Sequence, residues 1–137
     1  MPVFRTHSEE ETIALGRELA RSLPPRAVVL LIGNLGAGKT TLAKGIIDGL
    51  GAALPEDVSS PTFTLIHEYG GGRVFHVDLY RIDDPRDLRT LGLEDLLERE
   101  AVILVEWGER FPRLWPPDRI EIRLTTLDAA DREIELR

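Results

Sequence analysis

The segment Gly33-Asn34-Leu35-Gly36-Ala37-Gly38-Lys39-Thr40 constrains this chain more than any other. It follows an unbroken apolar run, Ala27-Val28-Val29-Leu30-Leu31-Ile32, and leads into a helical pattern over residues 39–50. Glycine, four residues, then glycine-lysine-threonine between a strand and a helix is the phosphate-binding loop of nucleoside triphosphate-binding proteins. The chemistry explains the residue types. Glycines let the backbone curl so that successive N–H groups converge on an anion, and they keep side chains out of that space. The helix that follows points its unpaired amides and positive dipole end at the same place. In this pattern Lys39 bridges the β- and γ-phosphates, Thr40 offers its hydroxyl to magnesium and Thr41 reaches the α-phosphate. The residues expected at the nucleotide are therefore Gly33, Asn34, Leu35, Gly36, Ala37, Gly38, Lys39, Thr40 and Thr41.

Such a loop needs a strand buried on both faces, and residues 27–32 are apolar throughout rather than alternating. The rest of the chain supplies its neighbours. Apolar strand patterns recur at residues 63–69, 73–78, 101–106, 119–124 and 132–136, with a short strand possible at 2–6. Ser8 with Glu11 three residues on forms a capping box for an amphipathic helix over residues 9–23, which Pro24-Pro25 stops. The triplet Gly70-Gly71-Gly72 predicts a hairpin. Asp84-Pro85 opens a short helix, and residues 91–99 form another. Strands alternating with helices predict an α/β P-loop fold over residues 1–137 as one domain. Its central sheet is expected to be mostly parallel and flanked by helices, with a C-terminal hairpin around residues 125–130.

At 137 residues the chain is the length of one domain. It has no cysteine, which removes disulfides, thiolate nucleophiles and thiolate metal sites. No signal segment and no apolar run of about 18 residues is visible, so a cytoplasmic location away from membranes is expected. A net charge of -7 argues against broad contact with a nucleic-acid backbone.

A bound triphosphate needs carboxylates near its metal and its attacking water. Two stand at the C-terminal ends of apolar runs, Glu106 after Val102-Ile103-Leu104-Val105 and Asp78 after Val74-Phe75-His76-Val77. Ligands of open α/β sheets gather at that edge. Glu106 is assigned to magnesium, directly or through water, together with Thr40. Asp78 is assigned to the attacking water or to a contact with Thr40; the reverse division stays open. Lys39, Asp78 and Glu106 form the expected catalytic set. Thr62, in Ser60-Pro61-Thr62-Phe63, is the expected switch-like contact to the γ-phosphate. Ser8 and Glu9 meet the base or ribose if the first helix packs beside the loop. His76 reads as a packed residue rather than a base, and Trp107 as core or as a cover over the site. The guanine signature Asn-Lys-x-Asp is absent, which favours adenine and hence ATP with magnesium. A small-metabolite or nucleoside kinase is the competing reading, with Arg81, Arg86 and Arg89 as candidate lid arginines. The chain is short for a lid plus an acceptor pocket, which suits an ATPase completed by partners.

Taken with Ser60-Pro61-Thr62-Phe63, His76-Val77-Asp78-Leu79-Tyr80-Arg81 and Leu104-Val105-Glu106-Trp107, the loop resembles the bacterial TsaE (YjeE) ATPase family. The resemblance runs over roughly residues 4–124. It implies an ATP-binding and hydrolysing subunit required for threonylcarbamoyl modification of the anticodon-adjacent adenosine in tRNAs that read codons starting with A. It also implies action with the TsaD–TsaB transferase pair, and the acidic charge agrees with a subunit that touches a protein partner, with no direct contact to tRNA expected. Carried over by motif, Thr40 and Glu106 hold magnesium, Asp78 belongs to the hydrolytic apparatus and Glu9 lies near the adenine. Asn34 stands where some relatives have aspartate, at a position whose backbone does the binding.

Overall fold

The computed structural model describes residues 2–137. In chain order its elements are strand β1 (Val3–Thr6), helix α1 (Glu9–Ala20), strand β2 (Ala27–Ile32), helix α2 (Lys39–Gly49), strands β3 (Ile66–Tyr69) and β4 (Val74–Asp78), helices α3 (Asp87–Thr90) and α4 (Leu93–Leu97), and strands β5 (Val102–Glu106), β6 (Ile120–Thr126) and β7 (Arg132–Leu136). One seven-stranded sheet takes the order β1-β7-β6-β2-β5-β4-β3. Its centre is parallel, β2 pairing with both β5 and β6, and β4 with β5. Both ends are antiparallel, through the β3–β4 and β6–β7 hairpins and the pairing of β1 on β7.

The sheet explains why β2 is apolar throughout. Val29 and Leu31 face a core built with Leu19 of α1 and Leu42, Ile46 and Ile47 of α2. Val28, Leu30 and Ile32 face the opposite core, with Leu88 of α3, Leu93 and Leu96 of α4, and Trp115. A side-chain period of two on a strand covered twice leaves no position for a polar residue.

Helix α1 lies on α2 through small residues. A Cβ built at Gly45 would stand 2.1 Å from the Ile13 carbonyl oxygen, and one at Gly16 would stand 2.6 Å from that of Leu42. The absence of both side chains brings the two backbones together, and with them the start of α1 to the start of α2. Ser8 caps α1 by accepting from Glu11 N at 3.1 Å. The returning bond of the expected box goes one residue further out, His7 N donating to Glu11 Oε1 at 2.9 Å.

Three boundaries differ from the sequence expectation. Helix α1 ends at Ala20, because Arg21, Ser22 and Leu23 donate to carbonyls three residues back and tighten the chain before Pro24. The strand expected from residue 63 starts only at Ile66, since Leu65 N bonds Pro61 O in a turn and Leu65 takes φ 71°. The helix expected over residues 91–99 is α4 alone, separated from α3 by Gly92 at φ 70°. The hairpin at the glycine triplet forms, closing from Tyr69 to Val74, with all three glycines at positive φ.

Candidate functional site

The chain leaves β2 at Ile32, curls through residues 33–38 and enters α2 at Lys39. Gly36 and Gly38 hold φ angles of 81° and 98°, in the left-handed region that glycine enters without a Cβ penalty. A Cβ at Gly36 would meet no protein atom within 4 Å, so the backbone angle is what demands glycine there. Gly38 is the N-cap of α2 and no side chain caps that helix. The residues of its first turn, Lys39, Thr40 and Thr41, line the cleft, and an uncapped helix start suits a bound anion.

That cleft has a volume of about 510 Å³. Its lining draws on distant parts of the chain: Ser8, Glu9 and Thr12 at the start of α1; Leu35, Gly36 and Gly38 of the loop with Lys39, Thr40 and Thr41 of α2; Thr62; and Asp78 and Glu106 at the ends of β4 and β5. Gly33, Asn34 and Ala37 are not among the lining residues and shape the loop from behind. Gly33 O accepts from Lys39 Nζ at 2.8 Å, and Asn34 O accepts from Ala37 N at 3.0 Å. Ala37 itself is buried in the core.

Parallel pairing sets Asp78 opposite Glu106, so the two carboxylates stand side by side on adjacent strands. Their partners differ. Glu106 Oε2 accepts from Thr40 Oγ1 at 2.9 Å and lies 2.6 Å from His76 Nε2. Asp78 Oδ2 accepts from Thr62 Oγ1 at 3.0 Å and Asp78 Oδ1 from Tyr80 N at 2.8 Å. Glu106 is thus joined to the phosphate loop, and Asp78 to the segment expected to act as a switch. Because the Thr40 hydroxyl gives its proton to Glu106, its oxygen lone pairs are free to face a cation. Among the described residues no three His, Cys, Asp or Glu side chains gather to hold a metal unaided. The Thr40 hydroxyl and the Glu106 carboxylate are hard oxygen donors of the kind magnesium takes one or two of, completing its shell with phosphate oxygens and water.

Lys39 is buried, with Nζ 3.5 Å from the centroid of the Trp107 ring. Burial lowers its pKa from the ordinary lysine value, and nearby Glu106, Glu109 and Asp78 partly offset this. Trp107 thus does both: it lines the cleft beside Lys39 and packs, partly buried, against the second core. It holds φ 63°, and Leu65 and Trp107 are the two non-glycine residues with positive φ among those described. Each such angle costs roughly 1–3 kcal/mol, and both stand next to site residues. Leu65 O accepts the amide of Asp78, and Trp107 follows Glu106 directly.

Sequence reasoning missed Arg132. From β7 its guanidinium donates to the carbonyls of Gly36 and Ala37 in the loop, and to those of Asp128, Ala129 and Asp131 in the β6–β7 turn. It ties the C-terminal hairpin to the phosphate loop, and Ala129, Ala130 and Arg132 complete the wall of the cleft. The contacts cross more than 90 residues of sequence and have no local signature. The candidate lid arginines do not converge on the cleft. Arg81 lies over the Phe63 ring at 4.9 Å, Arg86 pairs with Asp84, and neither they nor Arg89 line the cleft.

The chain is similar to known proteins over nearly its whole length. The family described as "Threonylcarbamoyl adenosine biosynthesis protein TsaE" matches residues 6–134. The tRNA threonylcarbamoyladenosine biosynthesis protein TsaE of a Nostoc species is 41% identical over 134 residues, covering 93% of this chain and 80% of that one. The protein of the same name from Bacillus subtilis is 39% identical over 133 residues, covering 96% and 82%. Among solved structures, Bacillus subtilis YdiB superposes with a TM-score of 0.76 at 34% identity, covering 97% of this chain and 82% of that one.

Proposed function

Since this chain belongs to the TsaE family of tRNA threonylcarbamoyladenosine biosynthesis proteins, we propose that it is a magnesium-dependent ATPase of that pathway. It works in the cytoplasm with the TsaD–TsaB transferase pair, and its ATP cycle supports threonylcarbamoyl modification of the adenosine beside the anticodon. The observation that carries the reading is the convergence of Lys39, Thr40, Asp78 and Glu106 on one cleft under an uncapped helix start.

In this reading the loop amides and Lys39 bind the phosphates, and Lys39 exchanges the Gly33 carbonyl and the Trp107 face for phosphate oxygens. Thr40 and Glu106 hold magnesium, which when bound neutralises phosphate charge and fixes the phosphates in place. Asp78 orients the attacking water. Its bond to Thr62 couples that position to residues 60–65, the segment that answers to the terminal phosphate. Ser8, Glu9 and Thr12 face the adenosine end.

Slow turnover by the chain alone follows from its cations. The cleft is lined by Lys39 and Arg132, and the Arg132 guanidinium is already engaged by backbone carbonyls. A partner completing the charge-stabilising set is therefore expected to raise the rate.

Phosphate release measured with and without purified TsaD–TsaB tests this. A slow basal rate stimulated roughly tenfold or more supports it. A basal rate indifferent to the pair overturns the partnered ATPase, and phosphate transfer to an added nucleoside without partners establishes the kinase instead.

A further inference from the structure

His76 lies in the middle of β4 and has no exposed surface. Its neighbours across the sheet are Leu104 on β5 and His67 on β3. A buried imidazole needs partners for both ring nitrogens. Here Nε2 has one, Glu106 Oε2 at 2.6 Å, and Nδ1 has none. A carboxylate oxygen accepts, so Nε2 carries the proton, and Nδ1 is left buried without a partner. Retaining that unpaired atom costs stability that an aliphatic side chain of similar size would not. The residue does not line the cleft, so it cannot touch a nucleotide directly. What it does is fix one oxygen of Glu106 from below, the same oxygen that Thr40 holds from the loop side.

We propose that His76 is a positioning residue: its Nε2–H, reaching Glu106 Oε2 through the sheet, locks the carboxylate in the rotamer that serves magnesium at Thr40. The inference rests on the functional reading above. Two donors on one oxygen leave the glutamate no freedom to swing toward Lys39, whose ammonium attracts it across the cleft. Without the imidazole, Glu106 keeps only Thr40, and the attraction of Lys39 is unopposed from below. The loss therefore falls on metal-linked binding and not on the phosphate loop itself.

The test compares His76→Leu, His76→Gln and His76→Asn. The leucine fills the space without a donor. The glutamine amide reaches about as far as Nε2, whereas the asparagine amide stops near Nδ1 and cannot reach Glu106. ADP affinity is measured by calorimetry in EDTA and again in magnesium, alongside ligand-free thermal melting. Wild type is expected to gain affinity with magnesium. His76→Leu should bind ADP in EDTA within about twofold of wild type and melt cooperatively as a folded protein, yet lose about tenfold of the magnesium-linked gain. His76→Gln should recover most of that gain and His76→Asn should not. In a Glu106→Ala background the leucine substitution should add nothing further. The proposal is overturned if a folded leucine variant keeps the full gain, if glutamine and asparagine behave alike, or if the two substitutions act additively. Should the leucine variant fail to fold, the glutamine–asparagine contrast decides alone. A wild-type protein with no magnesium-linked gain would instead sink the functional reading, which separates the two failures.

Discussion

Lys39 is an ammonium held where water has been removed, with a carbonyl and an aromatic face as its immediate company. Burial favours the neutral amine, so the folded-state pKa lies below the unfolded one. Stability then rises with pH: the charged form costs stability below the lowered pKa, and that cost is relieved as pH climbs through it. Lys39→Met removes the charge and keeps the apolar stem. At neutral pH, without ligand, the variant should melt above wild type, with the gap closing toward alkaline pH. The same change should weaken ATP binding by about 30-fold or more, close to 2 kcal/mol for a lost charge-assisted contact. Calorimetry and melting on one preparation check both signs. A variant that binds ATP like wild type removes Lys39 from the phosphate site. Such opposition between stability and function is the pattern expected of a site residue.

Among the elements, α1 makes no part of the phosphate loop, yet it forms a wall of the cleft because α2 lets it come so near. Gly45→Ala would place a methyl carbon 2.1 Å from the Ile13 carbonyl oxygen, a backbone atom that can move only if the whole helix moves. The expected loss is about 1–3 kcal/mol by urea unfolding, the usual cost of overpacking a tight contact. Displacing α1 also carries Ser8, Glu9 and Thr12 away from the loop, so adenosine affinity should fall more than inorganic pyrophosphate affinity. Unchanged stability would mean that the helices part without cost and that their close approach does not position the cleft. The β6–β7 hairpin is a second remote wall, held to the loop through Arg132.

For the molecule as a whole, charge decides what it meets. With 24 acidic residues against 17 lysines and arginines, a net charge of -7, the chain as a whole repels a phosphate backbone. The isolated protein should bind tRNA no tighter than roughly 10⁻⁴ M at physiological salt, as read by fluorescence anisotropy of labelled tRNA. A micromolar affinity that falls steeply with salt would place RNA on this chain itself rather than on its partners. Among the described residues no helix is long and apolar enough to cross a membrane.

How much of this was legible depended on distance along the chain. The phosphate loop, the strand before it and the helix after it are set by residues within a few positions of one another. Their glycines, apolar run and lysine specify that geometry without reference to the rest. That Asp78 and Glu106 stand at the loop's edge of the sheet was legible as well, because strand ends in a parallel sheet share one edge; that they stand side by side was decided by the pairing of β4 with β5. What the sequence alone left open was every contact made across the sheet or between layers. His76 read as plain packing until pairing of β4 with β5 set it under Glu106. Arg132 had no visible role until β7 closed beside the loop. Short-range sterics and hydrogen bonding write themselves into local residue order. The partners of a buried side chain are chosen only when distant segments compete for the same space, and that choice belongs to the folded chain.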